Sequence, residues 1–416
     1  MKILVIGSGG REHAFCWALS KSKKATKIYC APGNAGTAQV AQNVDIGTFD
    51  FDGLIAFAKA EGIDLSVCPM DAPLVAGIVD AFQVAGLRIF GPSKAAAEIE
   101  GSKAYSKDFM RKYNIPTAEY GVFNSLNAAM AHCETSKFPL VIKTDGLAAG
   151  KGVIICLNMA DADEALHAIF TDKKFGASGE KVVIEEFLDG VECSVLAFCD
   201  GTSVVPMPGA KDHKAIYDGD LGPNTGGMGV ITPNPQYNEE IATHCMEEIF
   251  LPTMEGMRKE GRPFVGVLFF GLMLTSDGPK LLEYNCRPGD PETQALLPLL
   301  ETDLLDITQA CMDGNLDKLE ILWKDNATCC VMAASGGYPE HFETKYPISG
   351  LENINNGVLI FHSGTKYVDG KLITAGGRVL CVVAMAKNLQ EAGKIAYEAI
   401  ENIHFNDIYY RKDIGV

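Results

Sequence analysis

Basic residues are the first shortage in this chain of 416: Lys and Arg number 36 against 53 Asp and Glu, a net charge of −17. So acidic a surface repels the phosphates of nucleic acids and anionic lipids, and any phosphate it holds must be caught by local donors. Neither nucleic acid nor a membrane is therefore an expected partner. No Cys-x-x-Cys pair occurs among the thirteen cysteines scattered between Cys16 and Cys381. That odd count fits reduced cytosolic thiols, and the adjacent Cys329 and Cys330 read as core residues. Long apolar runs are missing too: residues 265–274 fall far short of the roughly 20 a spanning helix needs, and residues 1–7 run into a strand rather than a charged leader. A soluble, unexported, cytoplasmic chain is expected. Internal repeats and low-complexity tracts are also absent. What is present is a hydrophobic content of 47 %, enough at this length for roughly two to four cores of ordinary domain size.

Residues 2–6 form an apolar, β-rich run, after which Gly7-Ser8-Gly9-Gly10 opens a helical segment over 11–21. Strand, glycine turn and helix N-terminus together can hold a phosphate. The dinucleotide fingerprint is broken, however, because its sixth position is Glu12, and the next strand (27–30) ends in Ala31-Pro32 without an acidic ribose ligand. Nicotinamide chemistry is discounted on that ground. Strands at 65–68 and 87–90 alternate with helices at 54–60 and 72–85, which predicts a doubly wound parallel sheet. Turns at Pro32-Gly33-Asn34-Ala35-Gly36 and at Pro69-Met70-Asp71-Ala72-Pro73 follow its strands, on the side where ligands gather in open α/β sheets.

Past Gly91-Pro92-Ser93 a helix is expected over 95–113, carrying Lys103 and Lys107. A strand over 138–143 ends in Lys143, and the loop Gly146-Leu147-Ala148-Ala149-Gly150-Lys151-Gly152 leads into a second strand at 153–156. A glycine-rich hairpin of this kind can fold over a triphosphate. It is not a Walker loop, since Gly152 stands where Ser or Thr would and a strand follows instead of a helix. Residues 181–190 and 191–198 read as two strands around a hinge. Its backbone can meet an adenine edge, with Glu192 accepting from ribose hydroxyls. Residues 211–229, with Asp212, His213, Lys214 and Thr225-Gly226-Gly227-Met228-Gly229, read as an irregular loop able to approach a small ligand closely. Helices are expected over 239–259 and 291–312, with a strong strand over 263–274. From 327 onward the composition resets to an α+β unit with strands at 328–334, 357–363 and 378–385 and a helix at 389–403.

The stretch Lys280-Leu281-Leu282-Glu283-Tyr284-Asn285-Cys286-Arg287-Pro288-Gly289-Asp290-Pro291-Glu292-Thr293-Gln294 is the densest in chemistry. Glu283 and Asn285 are two apart on a strand, leave the same face, and can offer oxygens to one hard cation. Arg287 presents a fork suited to a carboxylate or phosphate, and Asp290 and Glu292 can orient that fork or a substrate amine. An isolated Glu-x-Asn beside an Arg would be a surface pair worth about 0 to 1 kcal/mol; the Pro-Gly-Asp-Pro-Glu that follows argues against so plain a reading.

This stretch, with Gly-Gly-Arg-Glu-His-Ala at 9–14, Pro-Gly-Asn-Ala-Gly at 32–36, Asn-Thr-Gly-Gly-Met-Gly at 224–229 and Tyr-Arg-Lys-Asp at 410–413, resembles the glycinamide ribonucleotide synthetases of the ATP-grasp superfamily over essentially the whole chain. Pro288 departs from the Phe or Leu usual in the family. The resemblance implies a doubly wound parallel domain over 1–100 on the phosphoribosylamine side, an ATP-grasp domain over 101–320 with a lid at about 115–190, and a C-terminal α+β domain over 321–416. It implies ligation of glycine to 5-phosphoribosylamine through glycyl phosphate, with ATP and Mg²⁺ or Mn²⁺. ATP would lie against Lys103, Lys143, Gly150, Lys151, Gly152, Glu185, Glu186, Leu188 and Glu192, and metal on Glu283 and Asn285. Catalysis would fall to Arg287, Asp290 and Lys214, and substrate binding to Gly9, Gly10, Asn34, Asp71, Asp212, Thr225, Gly226 and Gly227. It further implies a monomer or weak dimer with transient contacts to neighbouring purine-pathway enzymes. An ATP-grasp carboxylase would share the nucleotide residues, but the Arg-x-Gly-Asp-Pro-Glu run and the 224–229 loop speak against it.

Overall fold

The computed structural model describes residues 1–147 and 152–415. Strands Lys2–Gly7 (β1), Lys27–Pro32 (β2), Gln42–Asn43 (β3), Leu65–Val67 (β4) and Ile89–Phe90 (β5) form a parallel sheet in the order β3-β2-β1-β4-β5. Parallel strands buried on both faces read as unbroken apolar runs, and Ile3, Leu4, Val5 and Ile6 are all fully buried. The helix Gly10–Ser20 follows β1. Glu12, the residue that breaks the dinucleotide pattern, folds back so that its Oε2 accepts the Gly9 N–H at 2.6 Å, which occupies one of the donors that a phosphate would use.

Two helices expected as single pieces are each broken. Residues 72–85 split into Asp71–Ala76 and Ile78–Val84 at Gly77, whose φ of 98° no other residue type adopts readily. The 95–113 helix divides into Lys94–Gly101 and Lys103–Lys112, because the Ser102 hydroxyl accepts the Tyr105 N–H and starts a new helix. Likewise 291–312 becomes Glu292–Leu296, a 3-10 turn at Leu297–Leu299 containing Pro298, and Leu304–Met312 capped by Asp303.

Strands Tyr120–Phe123 (β6), Leu140–Thr144 (β7), Val153–Cys156 (β8) and Val182–Glu186 (β9) make a small antiparallel sheet in the order β6-β9-β7-β8. A second antiparallel sheet contains Val191–Asp200 (β10), Val204–Pro206 (β11), and further on the long pair Val265–Thr275 and Gly278–Asn285. The cleft lies between these two sheets.

The 211–229 segment is not an irregular loop. It holds Lys211–Asp212 (β12), a hairpin of Ala215–Tyr217 (β13) and Leu221–Asn224 (β14), and runs into Gly229–Thr232 (β15). The order β12-β15 then continues through Ala327–Ser335 into Arg378–Ala386 and Leu359–His362. Part of the chain's middle therefore belongs, by hydrogen bonding, to the sheet of its C-terminal third, and that sheet brings residues 212–227 against the cleft. The N-terminal and C-terminal units meet directly: the buried Asn34 amide donates to the carbonyls of Ser8 (2.8 Å) and His362 (2.7 Å), and the His362 N–H donates to Nδ1 of His13 at 2.9 Å. All thirteen cysteines are buried and unpaired. Among the described residues no helix is long and apolar enough to cross a membrane.

Candidate functional site

A cleft of about 430 Å³ opens between the two antiparallel sheets and is bounded by all three parts of the chain. Lys143 at the end of β7 and Lys107 on the helix Lys103–Lys112 grip the Glu185 carboxylate from two sides, at 2.9 and 3.1 Å, all three side chains being buried. Glu185, expected among the nucleotide-binding residues, lines the cleft as the counter-ion that holds two lysines, because a carboxylate so deeply buried needs charged partners. Lys107 also donates to the Thr117 hydroxyl at 2.6 Å, and burial lowers its ammonium to about 8 against the pull of Glu185. Lys103 donates to the carbonyl of Gly146 at 2.9 Å, which ties the helix start to the glycine loop. Gly150 and Lys151 lie outside the described residues, while Gly152 lines the cleft.

The hinge after β9 presents Phe187 and Leu188, whose N–H groups have no partner among the described residues, beside Ile155, Met273 and Leu282. Apolar walls with free backbone donors suit a flat purine. Glu186 accepts the Glu119 N–H at 3.0 Å, and Glu192, expected to meet a ribose, holds the Lys214 ammonium at 2.7 Å.

On the floor, Glu283 lines the cleft, and its side chain has no hydrogen bond or ion pair among the described residues. Burial acts to raise its carboxyl, but Lys214, Lys143, Lys103 and Arg287 together hold it below its ordinary value, hence ionised. Asn285 faces Arg287, whose Nη2 donates to Asn285 Oδ1 at 3.0 Å.

The far end is built around three arginines. Arg287 reaches Glu100 at 3.1 Å and Asp71 at 3.7 Å, and its Nε is buried without a hydrogen bond. The Pro288 carbonyl accepts from Arg287 (3.4 Å) and from Arg11 (3.0 Å), so the residue that departs from the family pattern serves as an anchor for both guanidinium groups. Arg378 reaches across from the C-terminal unit to the Asp290 carboxylate (3.3 Å) and to the carbonyls of Asp290 (2.8 Å), Gly226 and Gly227. Burial works against Asp290's ionisation, yet Arg378 and Arg11 keep its carboxyl below the usual range. Thr225 lines the cleft and turns its hydroxyl to the Lys214 carbonyl. Asp71, Asp212, Lys214, Gly226 and Asp290 are thus gathered in one place. Gly9, Gly10, Asn34 and Gly227 are not on its lining: Asn34 is spent on the seam between units, and Gly10 packs against Gln294 and Ser363. Arg11, Glu100, Lys107 and Arg378 were given no site role: Arg11 sits in the 9–14 motif and Arg378 in Gly376-Gly377-Arg378, but only the fold shows what either touches, while Glu100 and Lys107 carry no local signal.

Family models for the phosphoribosylglycinamide synthetase N domain, ATP-grasp (A) domain and C domain match residues 1–100, 101–293 and 328–416. The chain belongs to the phosphoribosylglycinamide synthetase family. A phosphoribosylamine–glycine ligase of Clostridium acetobutylicum is 50 % identical over 415 residues, covering 100 % of this chain and 99 % of the relative. The crystal structure of a phosphoribosylamine–glycine ligase from Thermotoga maritima superimposes with a TM-score of 0.87 at 35 % identity, over 99 % of this chain and 100 % of the other. A biotin carboxylase domain from Hydrogenobacter thermophilus, at 13 % identity and a TM-score of 0.76 over 98 % and 91 % of the two chains, shares the ATP-grasp fold alone. As a phosphoribosylglycinamide synthetase, this chain uses ATP to join glycine to phosphoribosylamine in purine biosynthesis, through glycyl phosphate.

Proposed function

We propose that the two ends of the cleft divide the reaction, nucleotide at the lysine end and the two substrates at the arginine end. Joining a carboxylate to an amine is uphill in water, so the carboxylate must first gain a leaving group, and the protein's part is positioning and charge neutralisation. Lys103 and Lys143 take the α and β phosphates, the adenine lies on the apolar wall against the Phe187–Leu188 backbone, and the γ-phosphate lies towards Gly152, which lines the cleft. Arg287 holds the glycine carboxylate and then the acyl phosphate. Arg287 lines the cleft and its buried Nε, 3.7 Å from Asp71, makes no hydrogen bond, which supports this reading. Asp290, with Gly226 and Thr225, surrounds the amine, and Lys214 balances the charge that develops between the phosphoryl donor and the acyl group. Phosphoribosylamine enters from the side of residues 1–100, beside Asp71 and Arg11.

The donor set fits a hard divalent cation such as Mg²⁺ or Mn²⁺: an ionised carboxylate, Glu283, with no other partner, and a neutral amide oxygen, Asn285. When bound, the ion would neutralise phosphate charge between nucleotide and acyl oxygen. Among the described residues no cluster of three or more His, Cys, Asp or Glu ligands exists, which supports a shell completed by phosphate oxygens. The thirteen unpaired thiols support a reducing, cytoplasmic compartment.

The single observation carrying the proposal is Glu283, free of partners and ringed by cations that a triphosphate would engage. Calorimetric titration of Mg²⁺ should show weak binding to the enzyme alone and tight binding once a non-hydrolysable ATP analogue is present. Tight binding without nucleotide, unchanged in Glu283→Gln, would overturn the metal assignment.

A further inference from the structure

When the amine attacks glycyl phosphate its nitrogen gains a positive charge and must shed a proton before a neutral amide can persist. Some group in the cleft has to receive that proton, and the cleft's carboxylates differ sharply in how free they are to do so. Asp71 faces Arg287, Glu100 faces Arg287 and accepts the Cys286 N–H at 2.7 Å, and Asp290 faces Arg378 and accepts from Gln294 at 2.7 Å. Glu185 is clamped by two lysines, Glu192 holds Lys214, and Glu186 accepts a backbone N–H. Glu283 is free as well, but it is the acid assigned to the metal, and two others remain. The side chain of Asp212, on β12, has no hydrogen bond or ion pair among the described residues, and its Oδ1 is buried. Glu292, 3 % exposed, has only the Ser194 hydroxyl, at 3.0 Å.

These two acids are neighbours. Asp212 and Pro291, the residue before Glu292, crowd the same glycine: a Cβ on Gly227 would meet Asp212 Oδ1 at 2.7 Å and Pro291 Cδ at 2.5 Å. The groups that act on Asp212 are Glu292 and Glu192, which repel its charge, and Lys214 and Arg378, which favour it; burial and Glu292 prevail and raise its carboxyl. Lys214 is drawn aside by Glu192 and Arg378 by Asp290, so neither cation neutralises the pair by direct contact.

We infer that Asp212 and Glu292 act as one proton-accepting pair for the attacking amine. The nitrogen lone pair forms the C–N bond, and the acyl C–O bond breaks with its electrons leaving on inorganic phosphate. The N–H proton passes to the paired carboxyls and from them to solvent. Two carboxyls sharing a site bind one proton more readily than either would alone, which suits them to hold it during the step. The inference rests on the established reaction taking place in this cleft.

Hydroxylamine separates activation from transfer, because this small nucleophile traps glycyl phosphate as the hydroxamate and, in excess, carries off its own proton. With ATP, magnesium and glycine, the enzyme's rates are compared for hydroxylamine and for phosphoribosylamine generated in situ. In Glu292→Gln the ratio of phosphoribosylamine transfer to hydroxamate formation should fall by about 10²-fold or more. Asp212→Asn, whose carboxyl has no hydrogen bond to lose, should lower the same ratio, and it decides the matter if Glu292→Gln does not fold. A ratio equal to that of the unaltered enzyme in Asp212→Asn, or hydroxamate formation lost together with transfer, overturns the pair's role. Absence of hydroxamate in the unaltered enzyme would instead count against the activation site.

Discussion

The two ends of the cleft are built on opposite electrostatic plans. At the lysine end, three ammonium groups converge on Glu185 and Glu283, and positive charge is left over for a polyanion. At the arginine end, Arg11, Arg287 and Arg378 are each matched to an acid: Glu12, Glu100 with Asp71, and Asp290. An excess of cations attracts a strongly charged ligand from a distance. A neutralised lattice of forks attracts weakly but fixes direction, as suits a zwitterion and a sugar phosphate that must meet at a defined angle.

The division between the two ends rests most heavily on Arg287. Arg287→Ala strips the fork from the glycine carboxylate and leaves Glu100 buried without its cation, so kcat/KM for ligation should fall by about 10³-fold, while the Kd of an ATP analogue changes only slightly. Equal losses in ligation and in nucleotide binding would show that the two ends are not separate. Lys143→Met tests the other end. Glu185 keeps Lys107 as a partner, so the fold should hold, and ATP binding should weaken by about 10-fold to 10²-fold with glycine's KM little changed.

A smaller effect is expected at the seam that carries both ends. Burial lowers His13 to about 3, and His362 and His213 to about 4. Their folded values lie below the ordinary 6.5, so below that pH the unfolded chain binds protons that the native chain refuses. Stability from this source is complete above about pH 6.5 and is lost as pH falls towards 4. Thermal melting between pH 7 and 4.5 should show a decline that His13→Gln makes shallower, by at most about 1.4 kcal/mol per pH unit for the one proton removed. An unchanged slope would remove His13 from the account.

The contrast between the ends also explains what the sequence disclosed. The lysine end is assembled largely from strand termini and loops within the middle of the chain, so Lys103, Lys143, the glycine loop and the 185–188 hinge announce themselves through local pattern. Arg378 and Glu100 gain their meaning only when the C-terminal sheet and the helix Lys94–Gly101 meet near residue 287, and a lone charge on a strand or helix carries no sign of that. The same holds for β12 to β15, too short for periodicity to reveal: β15 is made regular by pairing with Ala327–Ser335, β12 by pairing with β15, and β13 and β14 by pairing with each other. The broken helices were legible in principle. Gly77, Ser102 and Pro298 are ordinary stop or cap signals, overridden in the reading by apolar spacing that ran through them.

Every native thiol is hidden, and burial pushes those of Cys68 and Cys193 up to about 12. Alkylating dyes react with accessible thiolates and will find almost none on the folded enzyme. A cysteine placed at the half-exposed Ile155, on the rim of the cleft, would therefore become a single addressable position for a fluorophore, reporting ligand arrival without prior removal of any natural residue.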